Sequence, residues 1–554
     1  MATTYSTPSY LANEVTNQPP ALAPYDAADD AALLEGLRRE GAGWAEDDVR
    51  RVGRLAGSEE AQDWATQANR HPPELRTHDR FGNRIDEVEF HPSWHELMRV
   101  AIAEGLGATV WTQRQPGAHV ARTARGLVWG HTEIGHFCPL AMTYAVVPAL
   151  RHQPELAAIY EPLLVSQVYD PGLRTPASKR GLLAGMGMTE KQGGSDVRTN
   201  TTTATPTGEH GLYALHGHKW FTSAPMCDLF LVLAQAPEGL SCFLVPRVLP
   251  DGSRNPFRIQ RLKDKLGNRS NASSEPEFDG TLGWLVGPAG RGVKTIIEMV
   301  SYSRLECVMM SATLMRRSLV EAGHHAQHRR VFGATLINQP IMRNVLADLA
   351  VESEAATALT LRLAGAADRA VRGDESEQAF RRIATGVGKY WVTKRGPAFT
   401  AEALECLGGN GYVEESGMPR HYREAPLQSI WEGSGNVNAH DVRRALTREP
   451  ATGAALLDEV ELAHGVDRRL DAAVLRLKTE LSNLENAEGS ARRLVELMAL
   501  TLQGALLVRH APAAVADAFC ATRLAGDWGH TFGTLPAAVD LTAILDRSLP
   551  AAAQ

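Results

Sequence analysis

The stretch NTTTATPTGEHGLYALHGHKWFTSAP, residues 200–225, decides the fold class because its pattern differs from that of the sequence on either side. Short runs of threonine, aliphatic and aromatic residues alternate with Gly and Pro, which is typical of strands joined by hairpins. The same pattern extends over residues 182–290, where LFLVLAQ and LSCFLVPR are further candidate strands. The sequence therefore predicts a β-barrel domain over residues 182–290, inserted in a chain that is otherwise helical.

Apolar residues recur at helical spacing before and after this β-domain. Residues 31–181 are predicted to form an N-terminal helical domain, and residues 291–446 a bundle of long helices. Residues 447–554 are rich in Ala and Leu and predict a C-terminal helical domain. Residues 1–30 contain several prolines and predict an arm that is either disordered or laid across a partner subunit. The predicted fold class is mainly α with an inserted β-domain.

The bulk composition is that of a globular protein with more than one domain. The chain has 554 residues, which exceeds the size that one hydrophobic core supports. Hydrophobic residues make up 44% and charged residues 22%, as in ordinary folded proteins. The net charge of -7 argues against a partner bound by bulk electrostatics, such as a nucleic acid or an anionic membrane.

The cysteines and the apolar runs predict a reduced, cytoplasmic protein that does not span a membrane. The six cysteines are scattered without a CxxC pair. The first residues lack the apolar region of a signal peptide. The longest apolar run, FCPLAMTYAVVPAL at residues 137–150, is too short to cross a bilayer and is predicted to be a buried helix.

Four glycine-rich or aromatic turns could bind a flat, phosphorylated ligand. GMGMTEKQGGSD (185–196) and HKWFTSAP (218–225) combine close backbone approach, hydroxyl donors and an aromatic plate. RRVFGATLINQP begins at Arg329, which could neutralise a pyrophosphate, and LGGNGY (407–412) is a further backbone surface for phosphate oxygens. Taken singly, each is explained equally well as an ordinary loop, a core tryptophan, a helix end or a helix C-cap.

Glu432, in SIWEGSGN, is the candidate base. It follows Trp431, whose ring can exclude water and raise the pKa of a carboxyl group, and it precedes small residues that leave room for a substrate. His324 and His328 lie four residues apart, but no third ligand of matching spacing follows, so no metal site is predicted. There is no GxSxG, HExxH or P-loop sequence either.

Six motifs, taken together and in this order, resemble the acyl-CoA dehydrogenase flavoprotein family: MTEKQGGSD, KWFTS, RLKDKLGNRSNAS, RRVFG (the pattern RxxFG) with Gln339, LGGNGY and IWEGSGN. The resemblance implies a helical domain, a β-barrel and a helical bundle, a homotetramer, and FAD at the subunit interface. It also implies that Glu432 takes the α-proton of an acyl thioester while the β-hydride passes to the flavin. The cofactor-binding positions carried over are Met188, Thr189, Gly194, Ser195, Trp220, Thr222 and Ser223 around the flavin ring, Arg329, Phe332, Gln339, Gly408 and Gly409 at the adenosine diphosphate of a neighbouring subunit's FAD, and Ser434 and Asn436 after the glutamate.

Two departures affect what the resemblance implies about substrate and partners. Arg304 matches an arginine that helps to bind acyl-CoA, but the family's acidic residue three positions earlier is Ser301 here. The chain is also similar to a subfamily with an extra C-terminal helical domain, to which sequence-independent binding of duplex DNA is attributed. Candidate phosphate contacts are Arg443, Arg444, Arg468, Arg469, Arg476, Arg492 and Arg493.

The C-terminal part of the chain gives mixed support for DNA binding. Residues 441–554 carry twelve Lys and Arg against fifteen Asp and Glu, a net charge of 12 − 15 = −3. Exposed arginines paired with neighbouring acids explain this composition equally well. Two functions therefore stay open: an FAD-dependent acyl-CoA dehydrogenase with Glu432 as its base, and a flavin-bearing protein that binds DNA and protects it from alkylation damage.

Overall fold

The structure is a computed structural model that describes residues 15–484 and 488–549. The predicted fold class is confirmed: helices precede and follow one central β-domain, and a further group of helices ends the described chain. Predictions that concern residues 1–14, 485–487 and 550–554 lie outside the described residues.

The N-terminal part contains seven helices and one hairpin. The helices are α1 Ala31–Arg39, α2 Glu46–Ala56, α3 Glu59–Arg70, α4 Pro92–Ala103, α5 Ala118–Trp129, α6 Phe137–Leu150 and α7 Pro154–Leu164, and the strands are β1 Glu74–His78 and β2 Arg84–Glu89. The apolar run at residues 137–150 is the buried helix α6, as predicted. The β1–β2 hairpin was not predicted, because its strands are mostly charged and partly exposed rather than alternating polar and apolar.

The β-domain contains eight strands, five of which close into a ring. The strands are β3 Ala184–Gly187, β4 Thr203–Pro206, β5 Leu212–His218, β6 Thr222–Ser223, β7 Leu229–Ala236, β8 Gly239–Pro246, β9 Phe257–Leu262 and β10 Ser273–Val286. Pairing runs from β7 through β8, β10, β5 and β4 back to β7, which closes the barrel. The remaining strands extend its edges: β3 pairs with β7, whereas β6 and β9 pair with β10.

Long helices follow the β-domain and position the candidate base. They are α8 Gly292–His328, α9 Pro340–Val371 and α10 Glu375–Glu405, followed by α11 Gly409–Tyr412, α12 Met418–Gln428 and α13 Gly435–Arg448. Two short strands, β11 Arg330–Val331 and β12 Ala334–Thr335, form a hairpin between α8 and α9. The middle of each long helix is buried, because α8, α9 and α10 pack against one another.

The C-terminal helices pack on the bundle through apolar and charged contacts. They are α14 Pro450–Glu461, α15 Arg468–Leu481, α16 Ala491–His510, α17 Ala513–Phe519 and α18 Leu541–Ser548. The sequence predicted α15 and α16 well, since their apolar residues keep a helical period. Among the residues that the structure describes, no helix is both long and apolar enough to cross a bilayer.

The described part of the N-terminal arm lies along its own chain. Arg329 donates from Nη1 to the carbonyl of Asn17 at 2.6 Å, and Asn17 exchanges two hydrogen bonds with the backbone of Arg330. Asn410 donates to the side chain of Gln18. Over residues 15–30 the end of α8 thus supplies partners for the backbone of the arm. Its contact with a partner subunit stays a prediction.

Candidate active site

Glu432 lies in the turn between α12 and α13, as the resemblance requires. Its φ of 57° is in the left-handed region, and the following Gly433 has a φ of 95°. A non-glycine residue in this region costs on the order of 1 kcal/mol or more, so its surroundings must hold it there. The direction of the Glu432 side chain therefore depends on contacts made by other helices.

Two buried cations hold three consecutive carbonyls of this turn. Lys389, on α10, donates from Nζ to the carbonyl of Trp431 at 2.8 Å and to that of Gly433 at 2.5 Å. Arg304, on α8, donates from Nε to the carbonyl of Glu432 at 3.0 Å. Charge-assisted hydrogen bonds of this kind are stronger than neutral ones, and they offset the strain of the turn.

Arg304, predicted to bind substrate, is engaged with the protein itself. Its Nη1 lies 2.6 Å from Oδ2 of Asp441. Burial alone would raise the pKa of Asp441, but Arg304, Arg382 and Arg444 outweigh burial and lower it to about 2. The carboxylate is therefore charged at neutral pH, and it orients the arginine that holds Glu432. Any contact of Arg304 with substrate stays a prediction.

The Glu432 carboxyl group combines partial burial with one strong hydrogen bond. Ser303 Oγ lies 2.5 Å from Glu432 Oε2. Burial raises the pKa of Glu432 above its ordinary value, although Ser303, Lys389 and Arg304 each act to lower it. A carboxylate with a raised pKa is a better proton acceptor near neutral pH than an exposed one.

Five of the predicted flavin-binding residues lie together at one end of the β-domain. Met188 and Thr189 follow β3, and the backbone N–H of Trp220 donates to the carbonyl of Thr189 at 2.8 Å. Thr222 and Ser223 form β6, where Ser223 Oγ lies 3.2 Å from Ser273 Oγ. The structure thus brings these five residues together. Gly194 and Ser195 lie on the exposed loop that follows Thr189, and Gly194 packs against Thr189, whose side chain an added Cβ would meet.

Cys138, on α6, is influenced both by the β-domain and by Glu432. Burial raises the pKa of Cys138 to about 11, the charge of Glu432 adds to the rise, and a hydrogen bond with Ser223 opposes it. That the β-domain hydroxyls and Glu432 border one site stays a prediction.

Most of the remaining predicted cofactor residues lie at the end of α8, in the segment after it and in the LGGNGY turn. Phe332 is 99% exposed, and Gln339 donates to the carbonyl of Val331. Arg329 and the LGGNGY turn lie side by side, because they contact the adjacent arm residues Asn17 and Gln18. Within LGGNGY, an added Cβ at Gly408 or Gly409 would meet nothing within 4 Å, so this backbone is open to a ligand. Ser434 and Asn436 are exposed at the start of α13.

The arginines predicted to bind DNA differ in how far their charges are already neutralised. Arg469 pairs with Asp467 and Asp517, and Arg444 pairs with Asp441. Arg492 donates to the hydroxyl of Tyr390, and Arg443 is partly buried. The members that are exposed with neither an acidic partner nor another described side-chain hydrogen bond are Arg468, Arg476 and Arg493. Both interpretations of the set, phosphate contacts and pairing with acids, stay predictions.

Comparisons with known proteins agree with this arrangement. Three family models match: the adaptive response protein AidB N-terminal domain over residues 17–171, the acyl-CoA dehydrogenase middle domain over 185–281, and the acyl-CoA dehydrogenase C-terminal domain over 290–447. The chain is 46% identical over 497 residues to the putative acyl-CoA dehydrogenase AidB of Escherichia coli K12, covering 89% of this chain and 91% of that protein. This chain belongs to the acyl-CoA dehydrogenase family. Its likeness to AidB extends across most of its length, and as a member of this family it is an FAD-dependent oxidoreductase.

Solved structures of other family members share the fold of this acyl-CoA dehydrogenase. Caenorhabditis elegans ACDH-11, crystallised in complex with C11-CoA, superposes with a TM-score of 0.82 at 26% identity and covers 94% of each chain. An acyl-CoA dehydrogenase from Bacillus anthracis, complexed with FAD, has a TM-score of 0.66 at 15% identity, covering 93% of this chain and 89% of that one. At 15% identity, the likeness to the Bacillus anthracis structure supports the shared fold and nothing further.

Sequence reasoning missed the residues that hold the base in this acyl-CoA dehydrogenase. Ser303 is one serine in a helix rich in small residues, and Lys389 is one lysine in GKYWVTKRG. Neither stands in a turn or beside a glycine run. Only the packing of α8 and α10 against the α12–α13 turn brings them to Glu432.

Proposed function

We propose that this chain dehydrogenates an acyl thioester, with Glu432 as the base that removes the α-proton. Bound FAD supplies an acceptor for the β-hydride. The observation that carries the proposal is Glu432 itself: a partly buried carboxyl group with a raised pKa, held in a strained turn and bonded to Ser303. A buried carboxylate is the kind of group that family chemistry needs at this point.

The residues present fit an isoalloxazine ring at the end of the β-domain. Thr222 Oγ1 is buried without a hydrogen-bond partner among the described residues, so it is available to a polar atom of a ligand. Ser223 is the next residue along β6, and the indole of Trp220 is a flat ring that contacts Lys263, whose Nζ lies 3.4 Å from its centroid. We propose that these three residues, with Met188 and Thr189, hold the ring.

The chain's own groups then act on the substrate in three ways. The Glu432 carboxylate accepts the α-proton, and the turn clamped by Lys389 and Arg304 fixes its direction. The backbone N–H of Glu432 donates to the thioester carbonyl, which stabilises the enolate-like charge that develops. The ring of Trp431, held by a hydrogen bond from its Nε1 to Gln428, excludes water from the carboxylate.

A titration with an acyl-CoA tests this function directly. Because the ACDH-11 relative binds C11-CoA, we propose that ligand as the first probe. Anaerobic addition of C11-CoA to the yellow protein is expected to bleach the flavin absorbance stoichiometrically. An unchanged spectrum with C11-CoA and with short straight and branched acyl-CoAs would contradict the proposal.

We further propose that the active form is a homotetramer. In it, Arg329, Phe332, Gln339, Gly408 and Gly409 reach the FAD of a neighbouring subunit. Phe332 is 99% and Tyr412 82% exposed in the single chain, and aromatic side chains so exposed are typical of interfaces. Sedimentation velocity is expected to show a tetramer for the parent protein and smaller species for Phe332→Ser. A parent protein that sediments as a monomer at micromolar concentration would refute this assembly.

Duplex DNA binding stays the alternative prediction. Its support is limited to the exposed Arg468, Arg476 and Arg493, because other members of the predicted set already have partners. Binding through phosphates would be independent of sequence and strongly weakened by salt. Gel-shift titrations of a random duplex at two salt concentrations would measure it.

A further inference from the structure

Lys389 is a buried cation that the proposed chemistry has not yet used beyond its hydrogen bonds. It is 1% exposed, and its Nζ contacts the carbonyls on both sides of Glu432. Removing an ammonium group from water is costly, so a buried lysine needs compensating partners. Among the described residues Lys389 has no ion-pair partner, which leaves only carbonyl dipoles to compensate it at close range.

The other charges near Glu432 differ from Lys389 in this respect. The groups that act on Glu432 are Ser303 and Arg304 from α8 and Lys389 from α10, with Asp441 from α13 acting through Arg304. Glu432 in turn raises the pKa of two buried thiols, Cys307 on α8 and Cys138 on α6. The charge of Arg304 is paired directly with Asp441 at 2.6 Å. Lys389 is therefore the unpaired positive charge beside the base.

The electrostatics of the two groups are reciprocal. Burial lowers the pKa of Lys389 to about 8, and the charge of Glu432 acts to raise it again. In turn, the charge of Lys389 acts to lower the raised pKa of Glu432, and it does so ahead of Arg304. Below about pH 8, Lys389 is charged and favours the ionised carboxylate.

We infer that Lys389 is a positioning residue for Glu432, which holds the strained turn through two carbonyls and keeps the carboxylate ionised in the pH range where it must accept a proton. The inference rests on the proposed role of Glu432 as base. Arg304 also holds the turn, through its hydrogen bond to the carbonyl of Glu432. The electrostatic part belongs to Lys389, because its charge is not neutralised by another acid.

The test is the pH dependence of flavin reduction by C11-CoA in anaerobic single turnovers. Lys389→Met removes the charge at similar volume, so the pKa of Glu432 rises. The acid limb of the rate profile is then expected to move up by about one pH unit. Lys389→Arg restores a charge and is expected to return the limb to its parent position, even where the maximum rate is lower.

A second readout does not depend on turnover. The infrared band of the protonated carboxyl group of Glu432 is assigned in the holoprotein by its absence in Glu432→Gln. Its pH titration is expected to shift upward in Lys389→Met by the same amount. If Lys389→Met does not fold, Lys389→Gln, which keeps a donor without the charge, is measured in the same way.

The matched control is Lys179→Met. Lys179 is also a buried lysine, bonded to the carbonyl of Gly172 and paired with Asp228, but it does not act on Glu432. Lys179→Met is expected to reduce the free energy of unfolding. The acid limb of the rate profile and the infrared titration of Glu432 are expected to stay at the parent pH. Titrations of Lys389→Met that coincide with the parent would overturn the inference. Flavin reduction that persists in Glu432→Gln would instead overturn the proposed function.

Discussion

Glu432→Gln is expected to slow reduction of the bound flavin by C11-CoA by at least about a hundredfold, because a general base contributes on the order of 10²–10⁴ to the rate. The amide has nearly the same shape as the carboxyl group but cannot accept the α-proton. The contacts of Lys389 and Arg304 go to backbone carbonyls, so the turn itself is expected to persist. Anaerobic stopped-flow absorbance of the flavin band measures the effect.

Glu424→Gln is the matched control for this substitution. Glu424 is also a buried glutamate, on α12, and burial raises its pKa to about 7, with Glu133 adding to the rise. Its Oε1 accepts from the backbone N–H of Asn268 rather than facing Glu432. This variant is expected to keep flavin reduction within a fewfold of the parent rate. Comparable losses in the two variants would show that the assay reports general damage to the fold, not loss of the base.

Arg523→Met is expected to reduce the free energy of unfolding by about 3–5 kcal/mol, because it leaves buried carboxylates without their partner. Arg523 is fully buried, and its Nη2 lies 2.5 Å from Asp348 and 3.0 Å from Glu352, which are also buried. Asp348 in addition accepts from the backbone N–H of Gly533. Arg523 therefore connects the C-terminal helices to α9.

Thermal unfolding followed by circular dichroism measures this loss. The control is Arg38→Met, because Arg38 pairs with Glu46 while its side chain stays 53% exposed, and exposed pairs contribute little. Arg38→Met is expected to change stability by less than about 1 kcal/mol. If the two variants unfold at the same temperature, the buried network does not hold the C-terminal helices in place.

The long helices, the β-domain and the position of Glu432 in a turn followed from local sequence. Helical periodicity predicts α15, which buries one face, and α8 and α16, whose middle turns are buried on nearly every side. The β1–β2 hairpin escaped prediction because its residues are mostly charged and pack only partly. Local pattern identifies an element only where burial dictates its residues.

Local sequence predicts even fewer of the residues in the candidate site. Glu432 could be predicted because small residues and a tryptophan surround it in sequence. Ser303, Lys389 and Asp441 could not, since they come from three helices that meet only after packing. The pairing of Arg469 with Asp517 could not be predicted either, because the two residues lie on different helices.

The length of α8 has a genetic consequence. Ser303, at the base, and Arg329, at the end of the helix, are separated by about 39 Å at 1.5 Å per residue, farther than one dinucleotide reaches. Under the proposed roles, no single polypeptide completes its own cofactor site. A defective allele would therefore impair sites that wild-type copies share with it, and two alleles with lesions at opposite ends of α8 would complement each other in mixed assemblies.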